Sequence, residues 1–174
     1  MQIAYVSASG SGAVDRLVLR LARRLAAMGL RTSGIVQINT ERPDSAVCDM
    51  DVQVLPDGPV LRISQRLGPG ARGCRLEPAA LEEAAGLVLA GLARGADVLL
   101  VNKFGKHEAD GRGFRPLIAD ALSRDIPVVL GVSKLSLPAF LDFAGETAEF
   151  LVPDVEKLLN WVEAQRAASQ KACA

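Results

Sequence analysis

Ile3-Ala4-Tyr5-Val6-Ser7-Ala8-Ser9-Gly10-Ser11-Gly12-Ala13-Val14 is the stretch from which the fold can be worked out. Residues 2–6, apolar from Ile3 to Val6 and bounded by a Ser/Gly segment, read as a short buried strand. Ser7–Gly12 then reads as a loop. From about Ala13 to Met28, Val14, Leu17, Val18, Leu21, Leu25 and Met28 recur at helical spacing, while Arg16, Arg20, Arg23 and Arg24 take the other face. Gly29 is a C-terminal stop, and Arg31–Ile38 reads as a second strand. A strand, a glycine loop, a helix and a strand in this order open many α/β folds.

The remaining chain continues the alternation. Asn39–Val47 is polar and reads as irregular. Asp51–Leu55 and Val60–Ser64 flank Pro56-Asp57-Gly58-Pro59, so a β-hairpin is expected. Gln65–Leu76 reads as a loop rich in glycine and arginine. A helix is expected from Glu77-Pro78 to about Arg94, with proline in its first turn, and Gly95 as its stop. Asp97–Val101 and Ile126–Val132 are buried strands, separated by a polar loop (Asn102–Gly113) and a helix (Phe114–Arg124). A short helix (Pro138–Ala144), a short strand (Glu149–Val152) and a closing helix (Pro153–Gln170) follow. Continuous apolar strands alternating with helices predict a mostly parallel sheet covered on both faces, a three-layer α/β architecture. The expected organisation is one domain over 1–166, with a hairpin insertion at about 39–66 and a frayed tail over 167–174.

Composition narrows the functional classes. At 174 residues the chain suits one domain. Its 20 lysines and arginines balance 20 aspartates and glutamates, so no global charge attracts nucleic acid or an anionic membrane. Apolar stretches are interrupted before the ~18 residues a membrane span needs. Met1 leads straight into the first strand without a leader-like pattern, and a cytoplasmic setting is expected. Cys48, Cys74 and Cys173 make no disulfide framework, and with the lone His107 they match no zinc spacing.

In open α/β sheets, ligands bind beyond the carboxyl ends of the strands. Three loops sit at such ends. Ser7-Ala8-Ser9-Gly10-Ser11-Gly12-Ala13-Val14 parallels the phosphate-loop pattern G-x-x-x-x-G-K-[ST], but Ala13 stands at the lysine position and Val14 at the hydroxyl position. What survives is a flexible loop at a helix N-terminus, able to attract an anion. The alternative is a tight turn with no ligand. At the next strand end, Asn102 and Lys103 occupy positions where a carboxylate would hold magnesium. An amide is the poorer magnesium ligand, whereas Lys103 offers a cation to an anion or simply lies on the surface. Arg66, Arg72 and Arg75, set among glycines, suit bidentate oxyanion recognition or a solvated linker.

The order of these features resembles the nucleoside-triphosphatase family known from thermophiles, a branch of the P-loop fold. Val101-Asn102-Lys103-Phe104-Gly105 stands where its members carry an acidic pair before glycine, and Gly113-Phe114-Arg115 and Pro127-Val128-Val129-Leu130-Gly131 match its downstream landmarks. More closely, the chain is similar to the bacterial family called domain of unknown function 2478. That likeness rests on Cys48-Asp49-Met50, on the run from Ile63 to Leu76 and on Val101-Asn102-Lys103-Phe104-Gly105-Lys106, and covers about residues 2–145. The resemblance implies a P-loop-like core with an inserted hairpin. Through a link of that family to molybdate transport, it also implies an oxyanion ligand.

The leading expectation is a non-hydrolysing protein that binds nucleotide phosphate or a tetrahedral oxyanion such as molybdate. The contact residues would be Ser9, Gly10, Ser11, Gly12, Arg66, Arg72, Arg75, Asn102, Lys103 and Lys106, with no catalytic or metal-ligating residue assigned and the cofactor left open. The second expectation is an unusual phosphohydrolase using His107, Glu108 or Asp110 for acid–base chemistry and Lys103 for charge. The third is an interaction module, or a homo-oligomer, working through Arg16, Arg20 and Arg23 or through the closing helix with Trp161.

Overall fold

The computed structural model describes residues 2–43, 45–65 and 76–172. β1 (Ile3–Val6) passes through Ser7–Gly12 into α1 (Ala13–Ala27), whose N-terminal cap is Gly12 in the left-handed region at φ 67°. Leu17, Val18, Leu21, Ala22 and Leu25 form the buried stripe of α1, while Arg16, Arg20, Arg23 and Arg24 are exposed. β2 (Thr32–Arg42), β3 (Ser45–Leu55) and β4 (Val60–Arg62) follow, then α2 (Pro78–Leu92), β5 (Val98–Phe104), α3 (Lys106–Ala109) and α4 (Arg115–Ser123). The chain continues through β6 (Val128–Val132), α5 (Leu137–Ala144), β7 (Ala148–Phe150) and α6 (Val155–Ala172).

The strands make one sheet in the order β4-β3-β2-β5-β6-β1-β7. The pairs β2–β5, β5–β6, β6–β1 and β1–β7 are parallel, whereas β2–β3 and β3–β4 are antiparallel. The protein is therefore α/β with a mostly parallel sheet and an added hairpin, as the sequence predicts. Alternation along the strands divides the core in two. Ala4, Val6, Leu100 and Val129 pack with α1 and with Leu158 and Val162 of α6. Ile3, Leu99, Val101, Val128 and Leu130 pack with α2, α4 and Phe140 of α5. The central strands are apolar throughout because helices cover both faces.

Three elements differ from expectation. The polar stretch Asn39–Val47 is not irregular: β2 continues to Arg42 and pairs with β3 through Asn39↔Met50, Thr40↔Asp49 and Arg42↔Ser45. Backbone pairing persists there after the two-sided core has ended, so the apolar pattern fades while the ladder does not. The hairpin edge carries ion pairs, with Arg62 bridging Asp49 at 2.7 Å and also bonding Asp51. Secondly, Asn102, Lys103 and Phe104 belong to β5, not to a loop. Thirdly, α6 runs on to Ala172, and Gln2 Nε2 donates to Ser169 Oγ at 3.4 Å. Trp161 is buried in the α1–α6 layer with its indole N–H donating to Glu149 Oε2 at 2.9 Å, so it presents no free aromatic face to a partner.

Gly34 of β2 governs the joint between the hairpin and the parallel sheet. Its φ is 114°, and a Cβ there would lie 1.9 Å from the Leu100 carbonyl oxygen of β5. Neither the backbone region nor the space admits a side chain. Gly34→Ala should therefore lower unfolding stability by about 3–4 kcal/mol, measured by urea denaturation; a loss within experimental error would mean that β2 and β5 do not meet this closely.

Candidate functional site

The carboxyl ends of β1, β5 and β6 converge on the Ser7–Gly12 loop. The loop bends at Gly10 (φ 97°) and Gly12 (φ 67°), and no side chain caps the first turn of α1. The loop and the positive end of the α1 dipole border a cleft of about 410 Å³. Ser7, Ala8, Ser9, Gly10 and Gly12 line it together with Lys103, Ser133 and Lys134, and the carboxylate of Asp15 borders it as well. Lys134 is exposed and makes no ion pair or hydrogen bond among the described residues. Lys103 Nζ lies 4.0 Å from Asp15 Oδ1. The main chain of Ser11 is held by Arg16, whose Nη1 donates to its carbonyl at 3.3 Å.

Behind the loop sits a buried polar cluster. Asp15, in the first turn of α1, accepts from Asn102 Nδ2 at 2.7 Å, Asn39 Nδ2 at 2.5 Å and Gln37 Nε2 at 3.4 Å. Asn102 Oδ1 in turn accepts from the Gln37 amide at 3.0 Å. Only 6% of Asp15 and 1% of Asn102 are exposed, so these bonds replace water. Asn102 is thus committed to Asp15 and does not reach the cleft. A carboxylate at position 102 would set two buried negative charges against each other.

Magnesium held in the phosphate-loop manner does not fit these residues. Val14 lies where the hydroxyl ligand would be, and it packs on β6 at Gly131, where an added Cβ would come 2.3 Å from Val14 Cγ1. Asp15 is fully engaged by amide donors. Among the described residues, no three His, Cys, Asp or Glu side chains are grouped to hold a metal.

The other sequence candidates lie elsewhere. Lys106 is on α3 and lines an adjoining hollow between the hairpin, α2 and β5. Glu108 is buried and accepts from the Gly105 amide at 2.9 Å and the Phe114 amide at 3.4 Å. His107 Nε2 lies 2.7 Å from Glu82 Oε1, which also accepts from the Gly113 amide at 3.0 Å. Asp110 is an exposed residue at the end of α3. Arg66, Arg72, Arg75 and Cys74 lie outside the described residues, as does Cys173. The flanks of that arginine segment are anchored by a Ser64↔Leu76 bridge and by Gln65 Nε2 donating to Glu77 Oε2 at 2.7 Å. Sequence reasoning missed Lys134 and Asp15. The signal for the first was its place two residues beyond an apolar strand, and for the second an acid inside the first turn of an otherwise basic helix.

A strand–glycine loop–helix core in a mostly parallel, helix-covered sheet is a P-loop-like α/β fold. The chain belongs to the family described as Protein of unknown function (DUF2478), which it matches over residues 3–161. It is 34% identical over 150 residues to the molybdenum import ATP-binding protein ModC 2 of Bradyrhizobium diazoefficiens, a match covering 85% of this chain and 16% of that protein. The chain thus spans a small part of that relative's length. Its fold is similar to the crystal structure of THEP1 from the hyperthermophile Aquifex aeolicus, with a TM-score of 0.64 and 19% identity over 94% of this chain and 96% of that one. The described helices include none long and apolar enough to cross a membrane.

Asn102→Asp should cost about 2–4 kcal/mol at pH 7, because two buried carboxylates then face each other; the penalty should shrink as the pH falls and one of them takes a proton, and urea titrations at pH 7 and pH 4 test this. The His107 hydrogen bond, outweighing partial burial and aided by the Gly113 amide, holds the Glu82 carboxyl below its ordinary value. A depressed carboxylate stabilises the fold above its unfolded pKa and loses that effect as pH falls through its folded pKa. Glu82→Gln should therefore lose about 0.5 kcal/mol at pH 7, since Glu82 is half exposed, with the gap to the parent closing in acid.

Proposed function

We propose that this protein binds a phosphate group or another tetrahedral oxyanion at the Ser9–Gly12 loop and does not hydrolyse it with magnesium. The observation that carries this reading is the uncapped, doubly left-handed glycine loop at the start of α1, which lines one cleft with Lys134 and Lys103. Backbone amides, a helix dipole and two ammonium groups supply donors and positive charge without any deprotonation step. Lys134 is the principal cation of the cleft, because Lys103 shares its charge with Asp15. Ser9 and Ser11, both exposed on the loop, add hydroxyl donors.

The replacement of the hydroxyl ligand by Val14, and its packing on Gly131, support binding without a bound magnesium ion. The likeness to a molybdenum import ATP-binding protein makes molybdate the first oxyanion to try. The arginines at 66, 72 and 75 are proposed as further ligand contacts on the chemistry of their guanidinium groups.

Calorimetric titration with molybdate, phosphate, ATP and GTP, each with and without magnesium, tests the reading. Binding of at least one of them should be unaffected by magnesium, and Lys134→Ala should weaken it about tenfold, more than Lys103→Ala does. Absence of heat for all four at millimolar ligand, or magnesium-dependent release of phosphate from ATP or GTP, would overturn it.

A further inference from the structure

The hollow between the hairpin, α2 and α3 adjoins the glycine-loop cleft, with Lys103 lining both, and is unlike it. It measures about 250 Å³, and Ile35, Val52, Ile63, Leu81 and Phe114 make its walls. Apolar cavities of about 150 Å³ already accept a benzene molecule, so this one has room for a ring with a short substituent.

Its polar groups divide into two sets. Those inside are already bonded within the protein: Asn102 to Asp15 and Gln37, Gln37 to Asn39, and Glu108 to the amides of Gly105 and Phe114. They ask nothing of a ligand. At the rim, His107 is engaged by Glu82. Lys106 is exposed and forms no ion pair among the described residues, and Lys103, half exposed and 4.0 Å from Asp15, also lines the hollow. An apolar hollow whose interior is satisfied and whose rim ends in ammonium groups matches a molecule with an apolar body and one anionic head.

We propose that this hollow is a second ligand site, which takes a small apolar organic acid with its ring or chain between the hairpin and α2 and its anionic group at Lys106. The site does not depend on the glycine loop being occupied, so the two readings stand or fall separately.

Phenylacetate and its neutral analogue phenylacetamide are the probes, titrated by calorimetry and by ligand-observed NMR against the full chain. Phenylacetate should bind at least about tenfold more tightly than the amide. Lys106→Ala should abolish most of that preference while leaving amide binding near its original level. Ile63→Phe, which fills the hollow, should abolish binding of both probes. Leu76→Trp, at a half-buried position on the wall, is the second variant should the first fail to fold. A molybdate or phosphate titration on the same samples reports separately on the glycine loop. Equal affinity for acid and amide, no binding of either, or an unchanged preference in Lys106→Ala would overturn the proposal, whatever the oxyanion titration gives.

Discussion

The contact between Asp15 and Asn102 fixes the geometry on which the site depends. It joins the first turn of α1 to the end of β5 at 2.7 Å, and through Gln37 and Asn39 it reaches β2 as well. Apolar packing brings α1 against the sheet, but burial is non-directional and tolerant of small shifts along the axis. A buried carboxylate with directed amide donors is not, because a displaced Asp15 would lose its partners in a place water does not reach. The start of α1, and with it the glycine loop, is held at the strand ends by that requirement.

The same contact explains why the chain departs from a magnesium-dependent phosphate site. A strand-end acid is suited to hold a metal when it is solvated or faces the ion. Here the acid lies on the helix, at Asp15, and the strand end supplies an amide that satisfies its hydrogen-bonding needs. Val14 follows the same logic: packed on the bare backbone at Gly131, it converts a polar ligand position into a steric joint between α1 and β6. Lys103 and Lys134 remain at the cleft, while Val14 and Asp15 are engaged in packing and hydrogen bonds within the fold.

Much of this was legible in the residues. The strand–loop–helix opening follows from apolar spacing, and the mostly parallel sheet follows from strands with no polar face. The hairpin around Pro56–Pro59 was legible from its turn chemistry. What was not legible has a common cause. The extension of β2 and β3 through Asn39–Asp49 is held by backbone pairing beyond the core, which leaves no hydrophobic period to read. The burial of Asn102 depends on a partner 87 positions away. Lys134 is a surface lysine by sequence, and only the adjacency of β6 to β1 places it at one cleft with Gly10.

Volume alone would have pointed to another place. A larger groove, about 620 Å³, lies at the opposite end of the sheet, between the C-terminal end of α1, the start of β2 and the turn at Leu55–Asp57. Of its three arginines, Arg31 is tied to Asp97 through both its backbone amide at 2.7 Å and its guanidinium. Two of Asp97's partners are Arg31 and Arg166, and against the opposing effect of burial they hold its carboxyl below the ordinary value. Charge there is spent on closing the sheet's lower edge, and the helix end nearby is a C-terminus, whose dipole repels anions. The smaller cleft has a helix N-terminus and two lysines, Lys134 without an ion pair among the described residues and Lys103 set 4.0 Å from the lining carboxylate of Asp15. For an anion, the direction of the dipoles decides between the two, and size does not.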